Sequence, residues 1–256
     1  MFFPLSDDDR DLLKPAYVTW ALLGLNVAVF LYQLANPDFT TGYAAVPAEI
    51  TGGHDLVGSE LLDLGDGTVV EVPQTPGPYP IYLTLITSMF MHAGFLHLGG
   101  NMLFLWIFGD NVEHRFGSLR FLLFYLVGGL VASAAQIATD LRSIIPTLGA
   151  SGAISAVLGA YLVLFPHNRV NAVFFFRIIT VPAFLVIVMW AIMQFINGFG
   201  AFTFSAQTGG VAYAAHIGGF VAGLLMALWS RMRMRREPDS ALARVYRRDA
   251  RDRTWW

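Results

Sequence analysis

Cysteine is absent from this 256-residue chain. That excludes a disulfide framework and any thiolate zinc site, and it leaves the redox compartment unreadable. Charge is scarce as well. Asp, Glu, Lys and Arg make up 13% of the residues, against about 25% in an ordinary soluble domain. The charge that is present is segregated. No Lys or Arg occurs from Asn36 to Pro80, and no charged residue of either sign from Gly200 to Gly210. The net charge of −2 therefore says little about partners. No His-Glu-x-x-His pattern occurs, so the helical metalloprotease signature is missing. A basic leader is missing too: the N-terminus carries Asp7, Asp8, Asp9 and Asp11 with only Arg10 and Lys14. The first apolar run is thus expected to be retained rather than cleaved.

What is present is apolar. Hydrophobic residues make up 55% of the chain and the mean hydropathy is +0.56, which places it among membrane proteins. The pattern predicts an all-α membrane protein, a bundle of six transmembrane helices. The expected spans are Tyr17 to Ala35, then a bent second one with an approach over 81–93 and a helix from about Gly94 to Glu113. Leu119 to Thr139, Ser151 to Phe165, Ile179 to Phe199 (Pro182 in its first turn) and Val211 to Ser230 follow. Residues 1–16 read as a cytoplasmic segment, 17–231 as the membrane domain with 36–80 as a long external loop, and 232–256 as a basic cytoplasmic tail. Nine arginines run from Arg231 to Arg253; they read as a solvated or lipid-facing anchor, not a nucleic-acid site. Positive charge also marks the second connection (Arg115, Arg120) and the fourth (Arg169, Arg177). Both termini are therefore expected inside, with spans two, four and six running inward.

Small residues crowd one stretch, Gly149-Ala150-Ser151-Gly152 through Ala156 and Gly159. Ser151 stands where a loop becomes a helix inside an apolar segment. One reading is a helix N-cap. The other is a nucleophile, with the unpaired N–H groups of the helix start beside it. Depth discriminates between them. At about 1.5 Å per helical residue, Ser151 lies roughly 22 Å above Pro166, His216 roughly 22 Å above Arg231 and Asn101 roughly 21 Å above Arg115. Three polar residues on three parallel-running helices thus fall at one level. In a hydrocarbon core about 30 Å thick, that level is roughly 8 Å below the outer face. The fourth span is too short to cross, so its polar start must be submerged in a water-accessible cavity.

The neighbours suit nucleophilic chemistry. His97 and Asn101 are four apart and share a helix face, and His92 lies just before them. His216, Gly219 and Gly223 share a face of the sixth span, and Gly152, Ala156 and Gly159 one of the fourth. The two faces allow nearly backbone-to-backbone approach, bringing His216 within reach of the Ser151 hydroxyl as a base. His97, Asn101 and the Ser151 backbone N–H are then placed to donate to an oxyanion. Ionisable groups within a bilayer are costly and usually functional. Gln136, Gln194 and Asn197 read as interhelical glue, and Gly109, Glu113, Arg115 and Gly117 as a structural tie of loop backbone at the inner interface.

At these residues the chain closely resembles the rhomboid family of intramembrane serine proteases. The likeness rests on Gly149-Ala150-Ser151-Gly152, His92 through His97 to Asn101, Glu113-x-Arg115, and Ala215-His216-Ile217-Gly218-Gly219 with Gly223. It runs from about Leu83 to Ser230. It implies hydrolysis of peptide bonds in or near transmembrane segments, with Ser151 as nucleophile, His216 as general base and no carboxylate. It implies His97, Asn101 and the Ser151 N–H as the oxyanion site, His92 as its support, and no metal or cofactor. It also implies a first loop partly in the outer leaflet and a fifth span that gates substrate, with Phe199, Phe202 and Phe204 as a cap. Two positions depart from the pattern of some members. Ser155 stands where they carry a tyrosine stacked on the base, and Leu83-Thr84 where they carry Trp-Arg.

The expected partners are transmembrane protein substrates and membrane lipid, with no nucleic acid; oligomeric state is not legible. Compactness and the retained first span point to the inner membrane of a prokaryote. The rival readings are a catalytically silent protein of the same fold that binds transmembrane helices, a zinc enzyme using His92, His97 and His216, and an ion or proton channel. Both dyad residues are present, which disfavours the first. No carboxylate lies at the histidine depth and no acidic chain crosses the membrane, which disfavours the others.

Overall fold

The computed structural model describes residues 3–7, 15–63, 67–204 and 212–233. The stretch from Asp8 to Lys14 and the arginine tail beyond Arg233 lie outside these residues, as do the side chains of Phe199, Phe202 and Phe204. The chain is mostly helical. Three helices are long and apolar enough to cross a membrane: α1 (Tyr17–Ala35), α6 (Ser118–Ile137) and α9 (Tyr213–Arg233). A fourth crossing is available if Ile81–Phe90 and α5 (Phe95–Phe116), bent by 78° at Met91 to Gly94, form one span. The approach segment contains the single-turn helix α4 (Thr84–Thr87) between two 3₁₀ turns.

The centre is α7 (Ser151–Leu164), in which every residue from Gly152 to Tyr161 is buried. Its small residues admit neighbours to the backbone on two sides. A Cβ on Gly219 or Gly223 of α9 would strike the carbonyl oxygens of Gly152 and Ala156, and one on Gly159 would strike that of Phe220. On the other side Gly128 of α6 faces Ala156. Lipid removes most of the hydrophobic drive between helices, so this contact relies on dispersion and close backbone approach. Larger side chains close the half of the bundle away from Ser151 around Phe108, Phe121, Tyr125 and Tyr161, all fully buried.

The long first loop is structured. It forms α2 (Pro37–Tyr43), α3 (Pro47–Gly52) and a hairpin of β2 (Gly58–Asp63) with β3 (Val69–Gln74). It braces the connection that leads to Ser151. Ala45 and Thr147 exchange backbone hydrogen bonds of 3.0 and 2.8 Å, and Ala48 N–H donates to Ser143. Gln74 Nε2 donates to the Ile144 carbonyl at 2.9 Å.

Two expectations are corrected. The fifth helix, α8 (Ala183–Phe204), starts at Ala183 rather than Ile179. The β-branched run before it forms β5 (Arg177–Pro182), which pairs antiparallel with β4 (Arg169–Phe174) and suits a strand better than a first helical turn. Within the N-terminal segment, residues 3–6 form β1 (Phe3–Ser6), which adds to β4 in a sheet of order β1-β4-β5. A paired strand satisfies backbone groups that would otherwise be left open.

Glu113, 2% exposed, holds a different backbone from the loop expected of it. Its carboxylate accepts from Val18 N–H (3.0 Å), Thr19 N–H (2.7 Å) and Thr19 Oγ1 (2.8 Å), and from Ser118 Oγ (2.6 Å). Ala16 offers α1 no side-chain cap. Glu113 supplies that cap from another helix, where an anion also meets the positive end of the dipole. Arg115 lies beside it in the last turn of α5.

Candidate active site

Ser151 opens α7. Gly149 before it has φ +133°, a conformation that L side chains rarely adopt, and its N–H donates to Ser88 at 2.9 Å. A Cβ on Gly149 would sit 2.9 Å from His97 Cε1. Backbone conformation and contact therefore both require glycine here. The turn presents the Ser151 hydroxyl beside His97, at the edge of a small cavity lined by Ser88, Thr147, Gly149, Gly152 and Ala215.

His216 lies in the first turn of α9, and its Nε2 is 2.7 Å from Ser151 Oγ. The glycine contacts one and two turns along, Gly219 on Gly152 and Gly223 on Ala156, set this spacing. The other ring nitrogen, Nδ1, is 2.8 Å from Gln194 Oε1 of α8. An amide oxygen only accepts, so this contact is a hydrogen bond in the tautomer whose Nδ1 carries the proton. Nε2 is then a bare acceptor, and the Ser151 hydroxyl donates to it. The rings of Trp190 and Tyr213 flank His216, with centroids 6.1 and 6.4 Å away. Ser155 does not take part: its hydroxyl donates to the Ser151 carbonyl at 2.6 Å.

His97 stands in the first turn of α5. Its Nδ1 accepts from Ala93 N–H at 3.3 Å, so in the neutral ring Nε2 carries the hydrogen. That nitrogen lies 3.0 Å from where a Gly149 Cβ would be, on the Ser151 side. Asn101 follows one turn later, 8% exposed. Its Nδ2 is buried and has no hydrogen-bond partner among the described residues. A buried amide with spare donors is costly unless something periodically fills it. His92 does not reach Ser151. It is 2% exposed and packs edge to face on His97, ring centroids 5.1 Å apart.

Two residues carry more than the sequence reading assigned. Gln33 of α1 clamps the His92 backbone: its Oε1 accepts from His92 N–H at 2.9 Å and its Nε2 donates to the His92 carbonyl at 3.3 Å. Gln194 was legible only as glue. A polar side chain in an apolar span was the available signal for it; its partner was not. Gln136 does join helices, its Oε1 accepting from Ala215 N–H at 3.2 Å. Among the described residues no group of three or more His, Asp or Glu converges as metal ligands do.

Chemically, a hydroxyl 2.7 Å from an imidazole nitrogen, at a helix N-terminus and with His97 beside it, is an arrangement that suits acyl transfer. A family model described as Rhomboid domain matches residues 81–233. The chain is 32% identical over 222 residues to the mitochondrial Rhomboid protein 1 of Saccharomyces cerevisiae, covering 82% of this chain and 52% of that protein. It is 38% identical over 144 residues to Rhomboid protease GluP of Bacillus subtilis, covering 56% of this chain and 25% of that protein. It is 32% identical over 145 residues to the putative rhomboid protease YdcA of the same bacterium, covering 56% and 64%. The chain thus spans from a quarter to under two thirds of these relatives. With more than half of its length matched by that family model, this membrane protein belongs to the rhomboid family.

Proposed function

We propose that the protein is an intramembrane serine endopeptidase that cleaves membrane proteins in or near their transmembrane segments with a Ser151–His216 dyad. The observation that carries this is the 2.7 Å contact between Ser151 Oγ and His216 Nε2, with Nδ1 of the same ring 2.8 Å from Gln194 Oε1. The bilayer is read as crossed six times, by α1, the bent segment with α5, α6, α7, α8 and α9. With 14 residues, α7 is about 21 Å long and stops short of the outer face of a core about 30 Å thick. Ser151 then lies below that face, reached by water through the cavity beside it. Pairing of β1 with β4 and of Ala45 with Thr147 supports the orientation. It groups the N-terminus with the fourth connection on one side and the first loop with the third connection on the other. The proposed setting is the inner membrane of a prokaryotic cell, with both termini cytoplasmic.

A substrate strand unwound near the outer leaflet passes between α5 and α8. His216 Nε2 takes the hydroxyl proton as Ser151 Oγ bonds to the carbonyl carbon, and the carbonyl π pair moves onto oxygen. Donors from His97 Nε2, Asn101 Nδ2 and the Ser151 backbone N–H hold that oxyanion. The pair returns, the C–N bond breaks, and the amine leaves with the proton from His216. Water then repeats the sequence on the acyl-enzyme, with His216 as base. The test is Ser151→Ala in the full chain with a reporter transmembrane substrate and a fluorophosphonate label. Loss of both cleavage and adduct is expected. Retained cleavage overturns the proposal, and a wild-type protein that neither cleaves nor labels belongs to a helix-binding protein instead.

A further inference from the structure

The unresolved element of a Ser–His pair without a carboxylate is what orients the imidazole. Ser155 cannot, because its hydroxyl is committed to the Ser151 carbonyl. Rings at 6.1 and 6.4 Å restrict rotation of His216 but do not choose between its tautomers. Among the described residues, the polar group on Nδ1 is the amide oxygen of Gln194, at 2.8 Å. We infer that Gln194 is a positioning residue: it accepts the Nδ1–H of His216 and so keeps Nε2 free to take the Ser151 proton.

The inference rests on the dyad proposed above and deepens it. If Nδ1 lost its acceptor, the neutral ring would populate the other tautomer, in which Nε2 bears the hydrogen and cannot act as base. When the ring takes the serine proton, it becomes a donor at both nitrogens. The Gln194 oxygen then faces a cation and its bond strengthens, as a group that stabilises a transient imidazolium should. The amide does this without a net charge, which a carboxylate at this depth would have to carry unpaired whenever the ring is neutral. Gln194 sits on α8 and His216 on α9, so the bond also makes base geometry depend on how those two helices are seated.

The experiment compares Gln194→Met, similar in length with no amide acceptor, with Gln194→Glu, which keeps an acceptor oxygen. Both are full-length proteins in proteoliposomes with a reporter transmembrane substrate. Gln194→Met should lower kcat about 10- to 100-fold, the range seen when partners that orient an imidazole are lost, with KM within about twofold. Gln194→Glu should recover the rate in part, because it keeps an acceptor oxygen but adds an unpaired charge. ¹⁵N shifts of the His216 ring should report Nδ1–H in the wild type and a mixture in Gln194→Met. Wild-type kcat with an unchanged tautomer in Gln194→Met overturns the inference. So does a loss of rate that Gln194→Glu fails to restore while the tautomer is unchanged, because Gln194 would then act only through folding. If Gln194→Met does not fold, Gln194→Asn gives the same reading, since it keeps the amide but withdraws its oxygen. The ring shifts are read without turnover. Failure of the dyad itself, seen as cleavage by Ser151→Ala, is therefore distinguishable from failure of the Gln194 role.

Discussion

At the scale of single residues, the site depends on which atoms have partners and which are left spare. His97 has its Nδ1 occupied by Ala93 N–H, while Asn101 Nδ2 is buried with no partner among the described residues. In a resting protein that amide is an energetic cost, and in the proposed reaction it becomes a donor to developing charge. Asn101→Ala should therefore lower kcat by roughly 100-fold, about 3 kcal/mol of barrier, with little change in KM. Steady-state cleavage of a reporter substrate reads this, and an unchanged kcat removes Asn101 from the oxyanion site. The sequence leads to the expectation of one depth for Asn101, Ser151 and His216 because rise per residue is constant along a helix. It did not reveal that Gln33 clamps the His92 backbone from α1, since that pairing crosses 59 positions and leaves no periodic trace.

At the scale of elements, two contacts set the geometry. The first is α9 lying on α7, where Gly223 has no room for a Cβ against the Ala156 carbonyl. Gly223→Ala should cost about 1–3 kcal/mol, the usual range for overpacking, and it should also push His216 away from Ser151. Thermal unfolding in detergent together with fluorophosphonate labelling rate checks both; a variant as stable and as reactive as wild type would remove this contact from the argument. The second is Glu113, capping α1 through three accepted hydrogen bonds and accepting a fourth from Ser118 of α6. Glu113→Gln keeps the shape but loses the charge and half of the acceptor capacity. It should lower stability by roughly 2 kcal/mol, the size of a lost hydrogen bond to a charged group, with kcat of the folded fraction little changed. Small residues at i, i+4 spacing made the first contact legible in advance. The second was read as a tie at the inner interface, but the identity of the tied backbone depended on where α1 begins beside α5.

At the scale of the molecule, hydrogen bonds sort the chain into two ends. Asp7 accepts from Asn111 Nδ2 of α5 at 2.7 Å and from the Tyr161 hydroxyl of α7, and Arg231 of α9 donates to the Val163 carbonyl at 3.2 Å. The lower turns of α5, α7 and α9 thus meet at one level. The absence of native cysteine makes the proposed orientation directly measurable. Val57→Cys in the first loop is 65% exposed at the parent residue, and Phe176→Cys at the turn of the β4–β5 hairpin is fully exposed. A membrane-impermeant maleimide applied to intact cells should label Val57→Cys at once and Phe176→Cys only after permeabilisation. The reverse order would invert the topology.

The sequence by itself determined the membrane class, the helix that begins at Ser151, and the glycine faces of α7 and α9. Each follows from composition or from a fixed helical repeat, which are properties of neighbours along the chain. Only the tertiary structure decided that β1 completes a sheet with β4, that Arg177–Pro182 is strand rather than helix, that Gln33 holds His92, and that Gln194 occupies Nδ1 of His216. These depend on how each helix is rotated about its axis and on which distant segment lies across from it. A linear pattern states which face of a helix is polar, but which partner that face meets is settled by packing.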